Sequence, residues 1–250
     1  MDMKRFLIFA FVCSLLFTCF SASCERGNVV IFSKFAGTDA FPLKGVKIGI
    51  DPGHQAKANS DKEPIAPWSD EKKAKVASGT RGVKTDIPEY VTVLEISLQL
   101  RDVLEALGAE VLMTRETHDV DISNKERALM MNEWGADLVL RMHINGSTDS
   151  SVNGMGMYIR YSGQLQEENT RLAEALLNHM SEMTGAKKER VYKRDTYTGL
   201  NWSEVPSVLV EMGYMTNPEE DEKLNSAEYQ KKLVLGAVYG ICEYLNVKIN

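Results

Sequence analysis

Short apolar runs alternate with segments of helical periodicity from Lys44 to the end of the chain. These runs are too continuously apolar for strands with one solvent-exposed face, so they predict buried strands of a central sheet. They lie at 46–50, 110–114, 138–144, 155–161 and 208–212. Helical periodicity, in several cases ending near a glycine, predicts helices at 92–107, 123–134, 167–183 and 229–245. This alternation indicates an α/β fold with helices on both faces of the sheet.

The segment 55–90 breaks the pattern, because it is rich in Lys, Ser, Pro and Asp and has no sustained period. Loops of such length in a compact domain are usually functional, and this one directly follows a candidate site residue, His54. We interpret it as a rim that contacts substrate. No internal repeat or linker interrupts the rest, which predicts one domain.

The N-terminus has the pattern of an export signal. Lys4 and Arg5 precede an apolar run at 6–20, and Ser21-Ala22-Ser23 follows it. The run is shorter than the roughly 20 residues that a membrane-spanning helix needs. Cys24 resembles a lipoprotein acceptor cysteine. We therefore expect a signal peptide at 1–24, an N-terminal segment at 25–43 and a catalytic domain at 44–250 that is exported to the cell envelope. A lipid anchor at Cys24 stays open, because Ser21 stands where lipoprotein signals usually carry Leu.

Composition is that of an ordinary soluble globular protein, with 44% hydrophobic and 26% charged residues among 250. The formal net charge of -6 argues against nucleic acid as a partner, because no basic surface is available to neutralise phosphates. A neutral or mixed-charge substrate fits better, and we expect membrane contact only through a lipid anchor.

Two of the four histidines lie where predicted strands end. His54 follows the turn Asp51-Pro52-Gly53, and His143 ends the run at 138–144. In open α/β sheets ligands gather beyond the carboxyl ends of the strands, so both imidazoles are candidate metal ligands. The alternative is that they are ordinary core or surface histidines, as solvent exposure suggests for His118 and His179.

A hydrolytic zinc site needs three protein ligands and an open position for water. Glu95 is the third candidate, because a carboxylate among many apolar neighbours in a predicted helix is costly unless it is paired or bound to metal. The alternative is a glutamate in the first turn that interacts with the helix dipole.

Glu211 is embedded in the apolar run 206–214, so its carboxyl group needs a partner. Close to an activated water it could accept and pass on a proton, as a general acid and base does. The alternative is an ion pair with an arginine such as Arg115 or Arg127.

Together these motifs resemble the zinc-dependent N-acetylmuramoyl-L-alanine amidases of bacterial cell walls: Asp51-Pro52-Gly53-His54, Glu95, His143-Ile144-Asn145 and the segment 206–217. The resemblance spans roughly 44–245. It implies a single α/β domain, of the phosphorylase/hydrolase-like type, with a central mixed, mostly parallel sheet flanked by helices. It also implies one Zn(II) ion with His54, Glu95 and His143 as ligands, and Glu211 as the catalytic base.

The reaction implied by this resemblance is hydrolysis of the amide bond between N-acetylmuramic acid and the L-alanine of the stem peptide in peptidoglycan. Arg141 departs from the pattern, because family members often carry Ser there. Two alternatives stay open: another zinc peptidase of the cell wall, such as a carboxypeptidase or endopeptidase, and a non-catalytic wall-binding lipoprotein. Beyond peptidoglycan, the sequence leaves open whether an activator protein is a partner, and we expect a monomeric enzyme.

Overall fold

Buried β-branched runs form the centre of the protein. The computed structural model describes residues 41–248, so the predicted signal peptide at 1–24, Cys24 and most of the segment 25–43 lie outside the described residues. Within the described part, six strands form the main sheet in the order β4-β1-β5-β8-β6-β7, and two form a separate antiparallel hairpin, β2-β3. The strands are β1 (Lys47–Pro52), β2 (Asn59–Pro64), β3 (Lys72–Val76), β4 (Glu110–Met113), β5 (Leu138–Asn145), β6 (Met155–Ile159), β7 (Lys188–Lys193) and β8 (Ser207–Tyr214).

The sheet is mixed and mostly parallel. Strands β4, β1, β5 and β8 run parallel to one another, β6 runs antiparallel to β8, and β7 runs parallel to β6. Every residue of β8 is buried, as are nearly all residues of β1 and β5. Strands buried on both faces explain why these runs are continuously apolar in the sequence.

Helices cover both faces of the sheet. In chain order they are α1 (Glu89–Ala106), α2 (Asn124–Trp134), α3 (Gln166–Thr184), the single turn α4 (Thr198–Asn201), α5 (Pro218–Leu224) and α6 (Ala227–Tyr244). Helices α1, α3 and α6 pack together on one face, where Gly236 and Gly240 of α6 let its backbone approach α3 closely. Helix α2 packs on the other face, where Met131 contacts Val139.

The predicted fold class is confirmed: a single α/β domain with a mixed, mostly parallel sheet between helices. Three strands have no apolar run in the sequence that predicts them. The segment 55–90, which has no sustained period, contains the β2-β3 hairpin and the start of α1, and the stretch between α3 and β8 contains β7 and the turn α4. Both missed strand regions are rich in Lys and other polar residues, as is typical of exposed or edge strands, so they carry no apolar signal.

No helix among residues 41–248 is long and apolar enough to span a membrane.

Candidate active site

His54 lies on a sharp turn at the carboxyl end of β1. Its backbone φ is 57°, in the left-handed region, which costs on the order of 1–3 kcal/mol for a non-glycine residue and persists only where the surroundings enforce it. Here two buried arginines hold the turn. Arg115 donates to the carbonyls of Pro52 and Gly53 at 3.0 and 2.8 Å, and Arg127 donates to the carbonyl of His54 at 3.0 Å.

His143 approaches this turn from the neighbouring strand β5. The two imidazole rings meet edge to face, with centroids 4.9 Å apart and planes at 84°. The approach depends on Gly53, because a Cβ atom at that position would overlap the His143 ring. Both histidines thus lie at strand ends, as predicted, and their rings are in direct contact.

Glu89, the first residue of α1, supplies the carboxylate between the two rings. Its Oε1 lies 3.2 Å from His54 Nε2 and 3.2 Å from His143 Nδ1. The carboxylate is 2% exposed and is fixed by further donors: the N–H of Ile144 to Oε1 at 3.0 Å, and the N–H and hydroxyl of Thr80 to Oε2 at 2.8 and 3.0 Å. Glu89 is therefore held in one orientation by groups from two other segments.

The structure does not bring Glu95 to the histidines, so the prediction that Glu95 is the third ligand is replaced by Glu89. Glu95 is exposed on α1, where its carboxylate accepts a hydrogen bond from Gln230 at 3.3 Å. The reason is helical geometry. Residues 93 and 97 belong to the buried stripe of α1, and position 95, two residues from each, points to the opposite side of the helix.

The charges of the three groups are interdependent. Burial by itself opposes ionisation of Glu89, but hydrogen bonds with His143 and His54 outweigh it and hold the Glu89 pKa well below its ordinary value. Burial likewise disfavours charge on both rings. For His54, the hydrogen bond with Glu89 prevails and raises the pKa, whereas desolvation prevails at His143 and lowers it.

These three residues fit a zinc ion. One donor atom from each of His54, Glu89 and His143 lies within 4.8 Å of the other two. His54 Nδ1 donates to the carbonyl of Ala77 at 2.8 Å, which leaves Nε2 as the atom that faces the Glu89 carboxylate. A proton on Nε2 joins the two groups, as the raised pKa of His54 indicates, and a metal ion held between them would take the place of that proton. A carbonyl that fixes the tautomer of a ligand histidine is also the usual surrounding of a zinc site.

Glu211 lies next to His143 on the adjacent strand β8, at the same register position. Burial, and then the charges of Glu89 and Glu189, raise its pKa well above the ordinary value. No described residue donates a hydrogen bond to its buried Oε2. Neither Arg115 nor Arg127 pairs with Glu211; both hold the turn at His54 instead. Glu211 therefore has the features of a proton acceptor whose pKa is tuned by its surroundings.

A cavity of about 620 Å³ gives access to these groups. His54, Glu89, His143 and Glu211 border it on the side of the main sheet. The β2-β3 hairpin borders it on another side, through Lys62, Lys72, Lys73 and Ala74, and the segment 196–199 closes a third. The segment 55–90, interpreted from the sequence as a substrate-contacting rim, thus lines the cavity that contains the candidate site.

Comparison with known proteins places this arrangement in a family. Residues 48–243 match the family model described as N-acetylmuramoyl-L-alanine amidase. The chain belongs to this amidase family. An N-acetylmuramoyl-L-alanine amidase of Mycobacterium tuberculosis (strain ATCC 25618 / H37Rv) is 28% identical over 227 residues, which cover 86% of this chain and 92% of that protein. The family predicted from the sequence motifs is thereby confirmed.

Solved amidase structures share the fold. The N-acetylmuramyl-L-alanine amidase Ami1 from Mycobacterium smegmatis superposes with a TM-score of 0.75 at 24% identity, covering 82% of this chain and 99% of that one. Ami1 from Mycobacterium abscessus, in its apo form, gives a TM-score of 0.74 at 25% identity and covers 81% of this chain and 100% of that one.

Behind the site of this amidase lies a buried ionic cluster centred on Asp51. The carboxylate accepts hydrogen bonds from Thr114 Oγ1 at 2.6 Å and Arg127 Nη1 at 2.9 Å. Arg141 Nη2 lies 2.7 Å from Asp51 Oδ2, as an ion pair without the alignment of a hydrogen bond. Burial opposes the charge of Asp51, but Arg141 and Arg127 outweigh it and hold its pKa well below the ordinary value. Arg141, the departure from the family pattern, thus serves to neutralise Asp51 and borders the cavity.

Replacing Asp51 with Asn is expected to destabilise the fold by about 3–5 kcal/mol, because the change leaves two buried guanidinium groups without their counter-charge. The measurement is the free energy of unfolding from urea denaturation. Asp61→Asn is the matched control, since Asp61 is 74% exposed in its pair with Lys75 and the change should cost at most about 1 kcal/mol. Equal losses in the two variants would contradict the structural importance of the cluster.

Proposed function

We propose that this amidase hydrolyses the bond between N-acetylmuramic acid and the L-alanine of the stem peptide in peptidoglycan, with one Zn(II) ion held by His54, Glu89 and His143. The observation that carries the proposal is the convergence of three donor atoms within 4.8 Å of one another, in a cavity that Glu211 also borders. Two histidines and one carboxylate are a ligand set that hydrolytic zinc sites use, and three protein ligands leave a position for water.

When bound, zinc supplies a Lewis acid that polarises the amide carbonyl and makes water a nucleophile near neutral pH. The protein's own groups move the proton. Glu211, adjacent to His143, has a raised pKa and an unpaired buried oxygen, so it can take a proton from the attacking water. The amide nitrogen must gain a proton before the amine of L-alanine departs, and protonated Glu211 can deliver it.

The first-turn position of Glu89 supports its role as a ligand. Thr80 and Ile144 together donate three hydrogen bonds to its oxygens, so the carboxylate stays ionised and fixed without a charged partner from arginine or lysine. Arg115 and Arg127 orient the turn that carries His54. The ligand set is therefore arranged before a metal binds, which reduces the cost of binding it.

Export to the cell envelope, with a lipid anchor at Cys24, agrees with a peptidoglycan substrate and remains a proposal, since residues 1–40 lie outside the described part. An activator protein as a partner and a monomeric state are also proposals.

The test is digestion of purified peptidoglycan, with mass spectrometry of the released fragments. We expect intact stem peptides that begin with L-alanine. Release should stop on chelation and return with added zinc, and His54→Ala should give none under either condition. Shortened stems still attached to muramic acid would identify a peptidase instead, and binding without release would identify a wall-binding protein.

A further inference from the structure

The two faces of the β2-β3 hairpin differ in charge. Strand pairing places Lys62 opposite Ala74 and Lys72 opposite Pro64, so these four residues share one face. On the other face, Asp61 and Glu63 alternate with Lys73 and Lys75. One face therefore carries two cations and no acid, whereas the other carries two of each.

The two acids within strands β2 and β3 are already engaged, and the loop between the strands carries two more, Asp70 and Glu71. Asp61 pairs with Lys75 at 3.4 Å, and Glu63 accepts the backbone N–H of Lys125 at 3.1 Å, at the start of α2. Lys73 donates its ammonium to the carbonyl of Thr196 at 2.9 Å. Among the described residues no carboxylate pairs with Lys62 or Lys72, although the chain as a whole is acidic, with a net charge of -6.

Both unpaired lysines border the cavity of the candidate active site. The other cation in that lining, apart from Lys73, is Arg141, which forms a buried ion pair with Asp51. The acids of the lining, Glu89 and Glu211, lie at the site itself. Glu89 is engaged with both histidines, and burial opposes ionisation of Glu211, so Lys62 and Lys72 leave the rim of the cavity with an excess of positive charge.

We propose that Lys62 and Lys72 bind carboxylates of the stem peptide, so that the enzyme selects acidic stem peptides over amidated ones. This inference rests on the proposed function, because it concerns the substrate that enters the same cavity. Lysine is suited to the task, since a compact charge on a flexible stem can follow carboxylates of differing position. Attraction by exposed lysines is screened by salt, so the selectivity should decline as ionic strength rises.

The experiment compares two soluble muramyl peptides that are identical except that the stem carboxylates are free in one and amidated in the other. The readout is kcat/KM for each, from chromatography of the released peptide. Since an exposed ion pair changes an equilibrium constant by up to about fivefold and the factors of two pairs multiply, the wild-type enzyme should prefer the free acid by up to about 25-fold. The Lys62→Gln/Lys72→Gln double variant should reduce that ratio to near one, mainly by raising KM for the acid.

Lys75→Gln is the control: it removes one positive charge from the same hairpin, on the face turned away from Lys62 and Lys72, and should keep the wild-type ratio. A wild-type enzyme that cleaves both substrates equally well would overturn the proposal, as would a preference that survives in the double variant. No cleavage of either substrate would instead overturn the proposed function.

Discussion

Replacing Glu89 with Gln is expected to abolish tight zinc binding, whereas replacing Glu95 with Gln should leave it intact. Glu89 places Oε1 3.2 Å from a nitrogen of each histidine, and an amide in its place offers the metal no negative charge. Loss of groups that only support a metal ligand weakens binding about 10–100-fold, so loss of the ligand itself should exceed that range. The measurement is zinc content after dialysis against a chelator of known affinity, with peptidoglycan hydrolysis as a second readout.

The two variants are closely matched, because each replaces one glutamate of the same helix with glutamine. Glu95 is exposed and contacts Gln230, so Glu95→Gln controls for any general effect of changing the charge of α1. Melting temperature should be compared as well, since Glu89 also binds Thr80 and Ile144. Full zinc retention in Glu89→Gln, together with loss in Glu95→Gln, would reverse the assignment made from the structure.

The sequence predicts the strands that are buried on both faces of the sheet. Strands β1, β5 and β8 lie inside the sheet and are covered on both faces, so their residues are apolar without interruption and their positions follow from hydrophobicity. The β2-β3 hairpin is different, because its two faces meet solvent, the cavity and α2. Its position depends on charged groups and on contacts with residues distant in the chain. One such contact is the hydrogen bond that Trp202 Nε1 donates to the Pro64 carbonyl at 2.9 Å, and the local sequence pattern does not predict it.

The site was predictable where strands position it. His54 follows β1, and His143 lies near the end of the neighbouring parallel strand β5. Glu211 occupies the next strand at the register of His143, so the adjacency of these residues follows from topology. The sequence around Glu95 does not indicate Glu89, because the residues that make it apolar do not surround Glu95 in space. The buried stripe of α1 runs through positions 89, 93, 96, 100 and 103, and continuing that stripe toward the N-terminus would have indicated Glu89.

Replacing Glu211 with Gln is expected to lower kcat for peptidoglycan hydrolysis by about 10²–10⁴-fold while zinc stays bound. Glutamine keeps the shape of the side chain, but it can neither accept the proton of the attacking water nor deliver one to the departing amine. Glu211 is not among the three converging donor groups, so metal content should match the wild type. The measurements are the initial rate of stem-peptide release and the zinc-to-protein ratio.

A second signature separates a catalytic Glu211 from a structural one. Its pKa is raised because the ionised carboxylate is buried, faces the charges of Glu89 and Glu189, and has an oxygen that no described residue donates to. Near neutral pH the unfolded chain holds this group ionised at no cost, whereas the folded chain must desolvate it, so removing the charge relieves a penalty on folding. In the metal-free protein, the melting temperature of Glu211→Gln should therefore equal or exceed that of the wild type.

Glu133→Gln, a change at an exposed position of α2, is the control and should alter neither rate nor stability. An inactive Glu211→Gln protein that has also lost zinc or several degrees of melting temperature would mean that Glu211 maintains the site rather than moves the proton.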